Sequence, residues 1–280
     1  MAVGKALASK NFSLSENIIF NVNCAEFMKK ENIPILISNP RCGSTWVHSY
    51  IRAFYCKVGL TLPSYKDDEF FATHYLPEVD IKQKIQIIEN LKASNLELCH
   101  KIHVGMFLNN NVLWSWFKEF YKDYRIIILK RRNIWKTYIS WLFHSTIKNT
   151  LLDYNAYDKD INVHPWHKTN LMSEDVLKST IQTYSIEFKH NNAHLHYFTN
   201  SIRFLHDEII PTFNTKPIFW LEDLTDEMLI NMFGVEIQQH VTPFNRLNYE
   251  SYFAVEQLDI LKTKFTEKYD NEFQYYGYKY

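Results

Sequence analysis

The sequence predicts an α/β domain with a central parallel β-sheet flanked by helices. Two short apolar runs, Pro34–Ser38 (PILIS) and Arg125–Leu129 (RIIIL), have the near-continuous hydrophobicity of strands buried on both faces. Segments with apolar residues at helical spacing lie between and after these runs. Because strands that alternate with helices form parallel sheets, we expect ligands at the carboxyl ends of the strands.

The elements follow from local patterns in chain order. After the first strand, Thr45–Val58 carries apolar residues three and four positions apart, and Gly59 is a typical helix stop. The further predicted elements are a helix over 82–93, a strand over 96–103, helices over 114–121 and 134–143, a helical region from Ser173 to about Tyr197, a strand over 218–221, a helix from Thr225 to Gly234 and a last helix over 255–269.

The chain is interpreted as one domain over residues 1–280. It has no internal repeat and no Gly/Ser/Pro-rich linker, and residues 1–30 are taken as an N-terminal extension. Between residues 145 and 170, helical periodicity gives way to Asn, Asp, His and aromatic residues. Irregular segments of this length commonly cover binding sites, so we expect a substrate loop or lid there.

The charge balance excludes some classes of partner. The chain has 31 Lys and Arg against 31 Asp and Glu, so its formal net charge is zero. Nucleic acid as the main partner and a polybasic membrane anchor are therefore not expected, and no segment reaches 18 consecutive apolar residues. The four cysteines contain no CxxC pair, which favours a reducing, cytoplasmic location; the oligomeric state stays open.

The sharpest motif is Asn39-Pro-Arg-Cys-Gly-Ser-Thr-Trp46, between the first strand and its helix. Gly43 allows close backbone approach, the amides of Gly43 to Trp46 point out of a helix N-terminus, and Cys42 belongs to the same predicted cofactor-binding loop. Ser44 and Thr45 add hydroxyls, and Arg41 adds a fixed positive charge. These parts are those of an anion cradle.

Three alternatives apply to this loop. It could be an ordinary strand-to-helix turn with a serine cap. A Walker A loop for ATP or GTP would need GxxxxGK[ST], and both the first glycine and the lysine are missing. Cys42 could be a phosphatase-type nucleophile, but the closing arginine of such a loop is not found in the Gly-Ser-Thr-Trp-Val that follows.

Pro40-Arg-x-Gly-Ser-Thr-Trp46 after a buried strand resembles the 5′-phosphosulfate loop of the sulfotransferases that use 3′-phosphoadenosine 5′-phosphosulfate (PAPS). The resemblance extends over about residues 33–278 and implies a P-loop NTPase-like three-layer α/β/α fold. It implies that Arg41 and the loop amides hold the 5′-phosphosulfate, that Thr45 contacts the phosphates and that Trp46 stacks on adenine.

Two further segments resemble motifs of this family. Arg132 and Ser140, eight residues apart across a strand end and the next helix, match the pair that holds the 3′-phosphate, and an arginine fork plus a hydroxyl suits a phosphate dianion. Lys101-Ile-His103 resembles the Lys-x-His stretch of the cytosolic branch, which implies His103 as the catalytic base and Lys101 as a neutralising cation. His100 is the control position, and a carboxylate of Asp67-Asp68-Glu69 is the alternative base.

The sequence departs from the family pattern at three places. Ile134 stands where the family usually has a proline, and Leu221 replaces a nucleotide-contacting tyrosine in Ile218-Phe-Trp-Leu-Glu-Asp-Leu224. The Arg-Lys-Gly segment that closes over the 3′-phosphate is missing, and Arg246 is its positional replacement.

Together these features predict an enzyme that transfers a sulfuryl group in line, without a metal, from PAPS to a hydroxyl or amine of a small-molecule or carbohydrate acceptor. The product would be 3′,5′-phosphoadenosine (PAP). The aromatic stretches 70–75 and 154–167 are the candidate acceptor cleft. Two alternatives remain: a P-loop phosphotransferase that needs ATP and Mg²⁺, and a non-catalytic nucleotide-binding or interaction protein.

Overall fold

A computed structural model of the protein describes residues 33–60, 70–71, 78–98, 101–108, 110–153, 173–188, 193–213, 217–237 and 248–279. These residues form an α/β fold in which a four-stranded parallel sheet is flanked by helices. The predicted fold class is confirmed at that level. The N-terminal extension, residues 154–170 of the predicted lid, the Asp67–Glu69 cluster, His100 and Arg246 lie outside the described residues.

The sheet has the order β2-β1-β3-β4 and its strands are all parallel. The strands are β1 (Pro34–Ser38), β2 (Lys101–His103), β3 (Arg125–Lys130) and β4 (Ile218–Trp220). The chain passes from β1 to β2 on one side of β1, and then crosses to β3 on the other side. This is a topological switch point, where the carboxyl ends of parallel strands open a crevice for ligands.

The helices are α1 (Ser44–Lys57), α2 (Ile81–Ala93), α3 (Gly105–Leu108), α4 (Asn111–Phe120), α5 (Ile134–Asp153), α6 (Glu174–Phe188), α7 (Ala193–Phe204), α8 (Asp226–Phe233) and α9 (Val255–Tyr275). A π-helical segment, Leu205–Ile209, and a last turn, Ile210–Thr212, continue α7. Two 3₁₀ turns, Leu221–Asp223 and Tyr249–Tyr252, precede α8 and α9.

Several predicted boundaries are wrong. Strand β2 is shorter than predicted, since residues 96–98 are not in the sheet and the Glu97 amide donates to the carbonyl of Leu60 instead. Leu221 begins a 3₁₀ turn rather than ending β4. Helix α5 continues to residue 153, through the first part of the predicted lid, because no glycine or proline interrupts 144–153. Helix α9 also runs six residues past its predicted end.

The core of the described residues consists of two buried apolar clusters. One buried cluster joins β1, β3 and α1, and a second joins α5, α6, α7 and α9. Phe70 and Phe71 are buried in the first cluster, where the Phe71 ring packs against Trp116. These two side chains of the predicted acceptor stretch therefore belong to the core.

Candidate functional site

The turn between β1 and α1 leaves the first amides of α1 uncapped. Gly43 is the N-cap residue, with φ of 74° and no side-chain cap, and Arg41 also has a positive φ, of 67°. The amides of Trp46 and Val47 donate to the Gly43 carbonyl, while the amides of Ser44 and Thr45 precede the first intrahelical bond. The serine-capped turn is thus not what forms, and the N-terminus of α1 keeps donors and its positive dipole end for an anion.

Gly43 is required here by two independent constraints. Its left-handed backbone favours glycine, and a Cβ at this position would lie 2.4 Å from Leu221 Cδ1. Leu221, on the turn after β4, therefore packs directly against the loop and helps to fix its shape.

Arg41 is held by hydroxyl groups from two distant segments. Its Nε donates to Ser140 Oγ at 3.0 Å, and its Nη2 donates to the Tyr249 hydroxyl at 3.3 Å. Burial lowers the pKa of the guanidinium, which nevertheless stays charged at neutral pH. Ser140, one of the two residues assigned to the 3′-phosphate by resemblance, thus lies against Arg41 of the first loop.

His144 supports this arrangement one turn after Ser140 on α5. Its Nε2 lies 3.3 Å from the Tyr249 hydroxyl. Burial and, to a smaller extent, the positive charge of Arg41 lower the pKa of His144 to about 2. The imidazole is therefore neutral, which avoids a second buried cation beside Arg41.

The Lys-x-His strand meets the same loop. Lys101 is buried and its Nζ donates to Thr45 Oγ1 at 3.0 Å. His103, at the end of β2, is half-buried, and its Nδ1 lies 3.3 Å from Ser38 Oγ. The parallel register of β1 and β2 pairs Ser38 with His103, so the sheet itself places the imidazole at the base of the loop. We call Asn39–Thr45, Lys101, Ser140 and Tyr249 the first-loop cluster.

Arg132 lies among carboxylates. Its guanidinium donates to Asp223 through Nη1–Oδ1 and Nη2–Oδ2 contacts of 2.5 Å each, and its backbone amide donates to both oxygens of Glu222. The amide of Lys279 donates to the Arg132 carbonyl. We call these four residues the Arg132 cluster. The structure brings Arg132 to Asp223 and Ser140 to Arg41, and it gives no hydrogen bond between Arg132 and Ser140.

Two more cations lie between the clusters. Arg131 Nη1 is 3.4 Å from the carbonyl oxygen of Arg41. Lys130 is buried, donates to the Tyr276 carbonyl, and lies 4.0 Å from the centroid of the Trp220 ring and 4.7 Å from that of Tyr278. Burial lowers its pKa to about 8, so Lys130 is still mostly charged at neutral pH and adds positive potential near the loop.

Cys42 and Trp46 lie with their side chains in the core. Burial raises the pKa of the Cys42 thiol to about 12, and a neutral thiol is not a nucleophile. The phosphatase alternative is therefore disfavoured, and the backbone amide is the part of Cys42 that an anion in the loop could contact. Trp46 is 4% exposed and its Nε1 donates to Asp226 Oδ1, which also accepts from Tyr50. Its face is covered by protein in this structure, so adenine stacking would require that cover to move.

No protein-family model, curated protein or solved structure matches this chain. Within the described ranges, no helix combines the length and apolar content needed to cross a bilayer, and no three His, Cys, Asp or Glu side chains are grouped as a metal site would need.

Sequence reasoning missed three contributors. Tyr249 reaches Arg41 across 208 residues, His144 contacts Tyr249 across 105, and no local pattern marks either one. Asp223 pairs with Arg132, and the only sequence signal for it is the pair of adjacent acids, Glu222 and Asp223, at the end of the predicted fourth strand.

Proposed function

We propose that this protein is a PAPS-dependent sulfotransferase that transfers a sulfuryl group to a hydroxyl or amine of a small-molecule or carbohydrate acceptor. The observation that carries the proposal is the first-loop cluster. An uncapped helix N-terminus, the Arg41 guanidinium and the Lys101 ammonium converge there, and His103 ends the neighbouring strand. The proposal includes a P-loop NTPase-like arrangement, in which a strand, an anion-binding loop and a helix follow one another at the topological switch point.

The first-loop cluster fits the 5′ end of the cofactor. Two amides of α1, the Arg41 fork and Lys101 with Thr45 are donors suited to phosphate and sulfate oxygens. The 3′ end fits less directly, because the guanidinium of Arg132 is bonded to Asp223. Arg132 can serve a 3′-phosphate once that ion pair opens.

The cofactor supplies an activated sulfuryl group on a phosphate leaving group. In the tautomer that donates from Nδ1 to Ser38, the other ring nitrogen of His103 carries the lone pair that takes the acceptor proton. Ser38 fixes the ring through this contact and through the β1–β2 register. Arg41 and the α1 amides offset the negative charge that develops on the leaving group.

Calorimetric titration of PAP, AMP and ATP with Mg²⁺ tests the cofactor class. We expect PAP to bind most tightly. A preference for ATP with Mg²⁺ would identify a phosphotransferase instead, and equal or undetectable binding of all three would overturn the proposal.

Conversion of PAPS to PAP across a panel of phenols, alcohols, amines and sugars tests catalysis. His103→Ala should lose about 10²-fold or more in rate while PAP binding is retained. The matched control is His196→Ala, an exposed histidine on α7 that contacts Asn200. Tight PAP binding without turnover on any acceptor would instead show a non-catalytic nucleotide-binding protein.

A further inference from the structure

The backbone and the side chain of Arg132 are restrained to different degrees. The backbone amide and carbonyl are both bonded, to Glu222 and to Lys279, and the Ile134 amide donates back to the Lys279 carbonyl. Among the residues that the structure describes, the side chain is held at its outer end by Asp223, and the Trp220 ring lies 5.5 Å from the guanidinium carbon. Residue 132 therefore stays in place while its guanidinium can exchange partners.

The Arg132–Asp223 pair is accessible to an incoming anion. The two side chains are 33% and 51% exposed, so water and dissolved ions reach both. The Arg132 hydrogen bonds lower the pKa of the Asp223 carboxyl, so Asp223 is fully ionised at neutral pH. A phosphate dianion and this carboxylate can each accept two hydrogen bonds from the same guanidinium, and their like charges oppose simultaneous binding.

We infer that Asp223 is an internal competitor for the 3′-phosphate of the nucleotide, and that it leaves Arg132 when PAPS or PAP binds. The inference rests on the proposed function, and it goes beyond it by assigning a role to an acidic residue. Its consequence is specific. Asp223 weakens the binding of nucleotides with a 3′-phosphate, which eases the release of PAP, and it leaves nucleotides without that group unaffected.

The experiment compares PAP and AMP binding to the wild-type chain and to Asp223→Asn. We expect about three- to tenfold tighter PAP binding in the variant, the range for an accessible, bidentate ion pair, and unchanged AMP binding. Asp223→Ala should give the same result without an amide that could bond Arg132. Glu227→Gln is the matched control, because it removes an exposed negative charge from nearby α8 and leaves the Arg132 ion pair intact.

The double variant Arg132→Ala/Asp223→Asn completes the test, since the gain in PAP affinity should vanish without the guanidinium. Equal tightening of PAP and AMP, an equal gain in Glu227→Gln, or no gain in either Asp223 variant while the wild type still prefers PAP to AMP would each overturn the inference alone. If neither wild type nor variants bind PAP, the proposed function fails and the inference fails with it.

Discussion

The first-loop cluster and the Arg132 cluster lie at the same sheet edge, and each contains an arginine that follows a buried strand. Arg41 donates to the hydroxyls of Ser140 and Tyr249, whereas Arg132 donates to the carboxylate of Asp223. A hydroxyl partner accepts the hydrogen bonds of the guanidinium and leaves its positive charge in place. A carboxylate accepts the hydrogen bonds and also neutralises the charge. Two arginines with equivalent places in the chain therefore have different capacities to bind an anion.

Replacing each arginine by alanine should give the largest contrast. We expect Arg41→Ala to weaken the binding of PAP and AMP alike by about 30- to 100-fold, which corresponds to the loss of charge-assisted hydrogen bonds to a phosphate. Arg132→Ala should weaken PAP binding by less than about tenfold and leave AMP binding unchanged. The loss is small because, in the wild type, the cost of separating Arg132 from Asp223 offsets part of the free energy that Arg132 gains from the 3′-phosphate. Calorimetry measures both, and equal losses would contradict the comparison.

Backbone shape in the first-loop cluster should have the next largest effect. Gly43→Ala combines a left-handed backbone with a contact at 2.4 Å to Leu221, so we expect the free energy of unfolding to fall by about 2–3 kcal/mol. Gly59→Ala is the matched control, since its φ is 72° and nothing lies within 4 Å of the added Cβ. It should cost about 1 kcal/mol. Urea denaturation measures the difference, and equal costs would mean that Leu221 yields freely.

Acid should remove the stability contributed by His144, which lies beside Tyr249 of the first-loop cluster, before it breaks the Arg132–Asp223 ion pair. The folded pKa of His144, about 2, lies below its ordinary value of 6.5, so the unfolded chain takes up a proton that the folded chain does not. The stability due to neutral His144 is complete above pH 6.5 and falls by about 2 kcal/mol by pH 5. The pKa of Asp223 is lowered from 3.8, so its ion pair with Arg132 persists at pH 5.

Denaturation of the wild type and of His144→Gln at pH 7 and pH 5 tests this order. The variant should lose less stability on acidification than the wild type. His206 has a pKa lowered to about 3, by burial and by the charge of Lys130, so it contributes to the same loss. His206→Gln is therefore the comparison variant, and an unchanged acid loss in His144→Gln would show that His144 does not titrate as described.

The smallest expected effect is that of the Ser140 hydroxyl. Ser140→Ala removes one hydrogen bond from Arg41, so PAP and AMP binding should both weaken by about fivefold, equivalent to about 1 kcal/mol. Ser201→Ala is the control, because Ser201 is a buried helical serine that donates to the Tyr197 carbonyl. Loss of PAP binding alone would instead place Ser140 with the 3′-phosphate, as the family resemblance implies.

Much of the fold was predictable from local patterns. Strand β1 has the predicted bounds, and α1 differs by one residue at each end, because a buried apolar run and a 3.6-residue period are strong signals. The meeting of Lys101 with Thr45 was not predicted, because Lys101 begins β2 and only its long side chain brings the ammonium to Thr45 after the end of β1. Element ends were less predictable: α5 passes residue 143 without a pattern change strong enough to mark its true end.

The amino-acid sequence by itself determined the order of strands and helices, the position of the loop between β1 and α1 and the residue types at the sheet edge, because each depends on neighbours within a few positions. Only the tertiary structure decided which cation meets which partner. Arg41 reaches Tyr249 across 208 residues, and Arg132 reaches Asp223 across 91. Such pairings depend on strand order and on the path of the chain after β4, and these are set by packing of the whole core rather than by any local pattern.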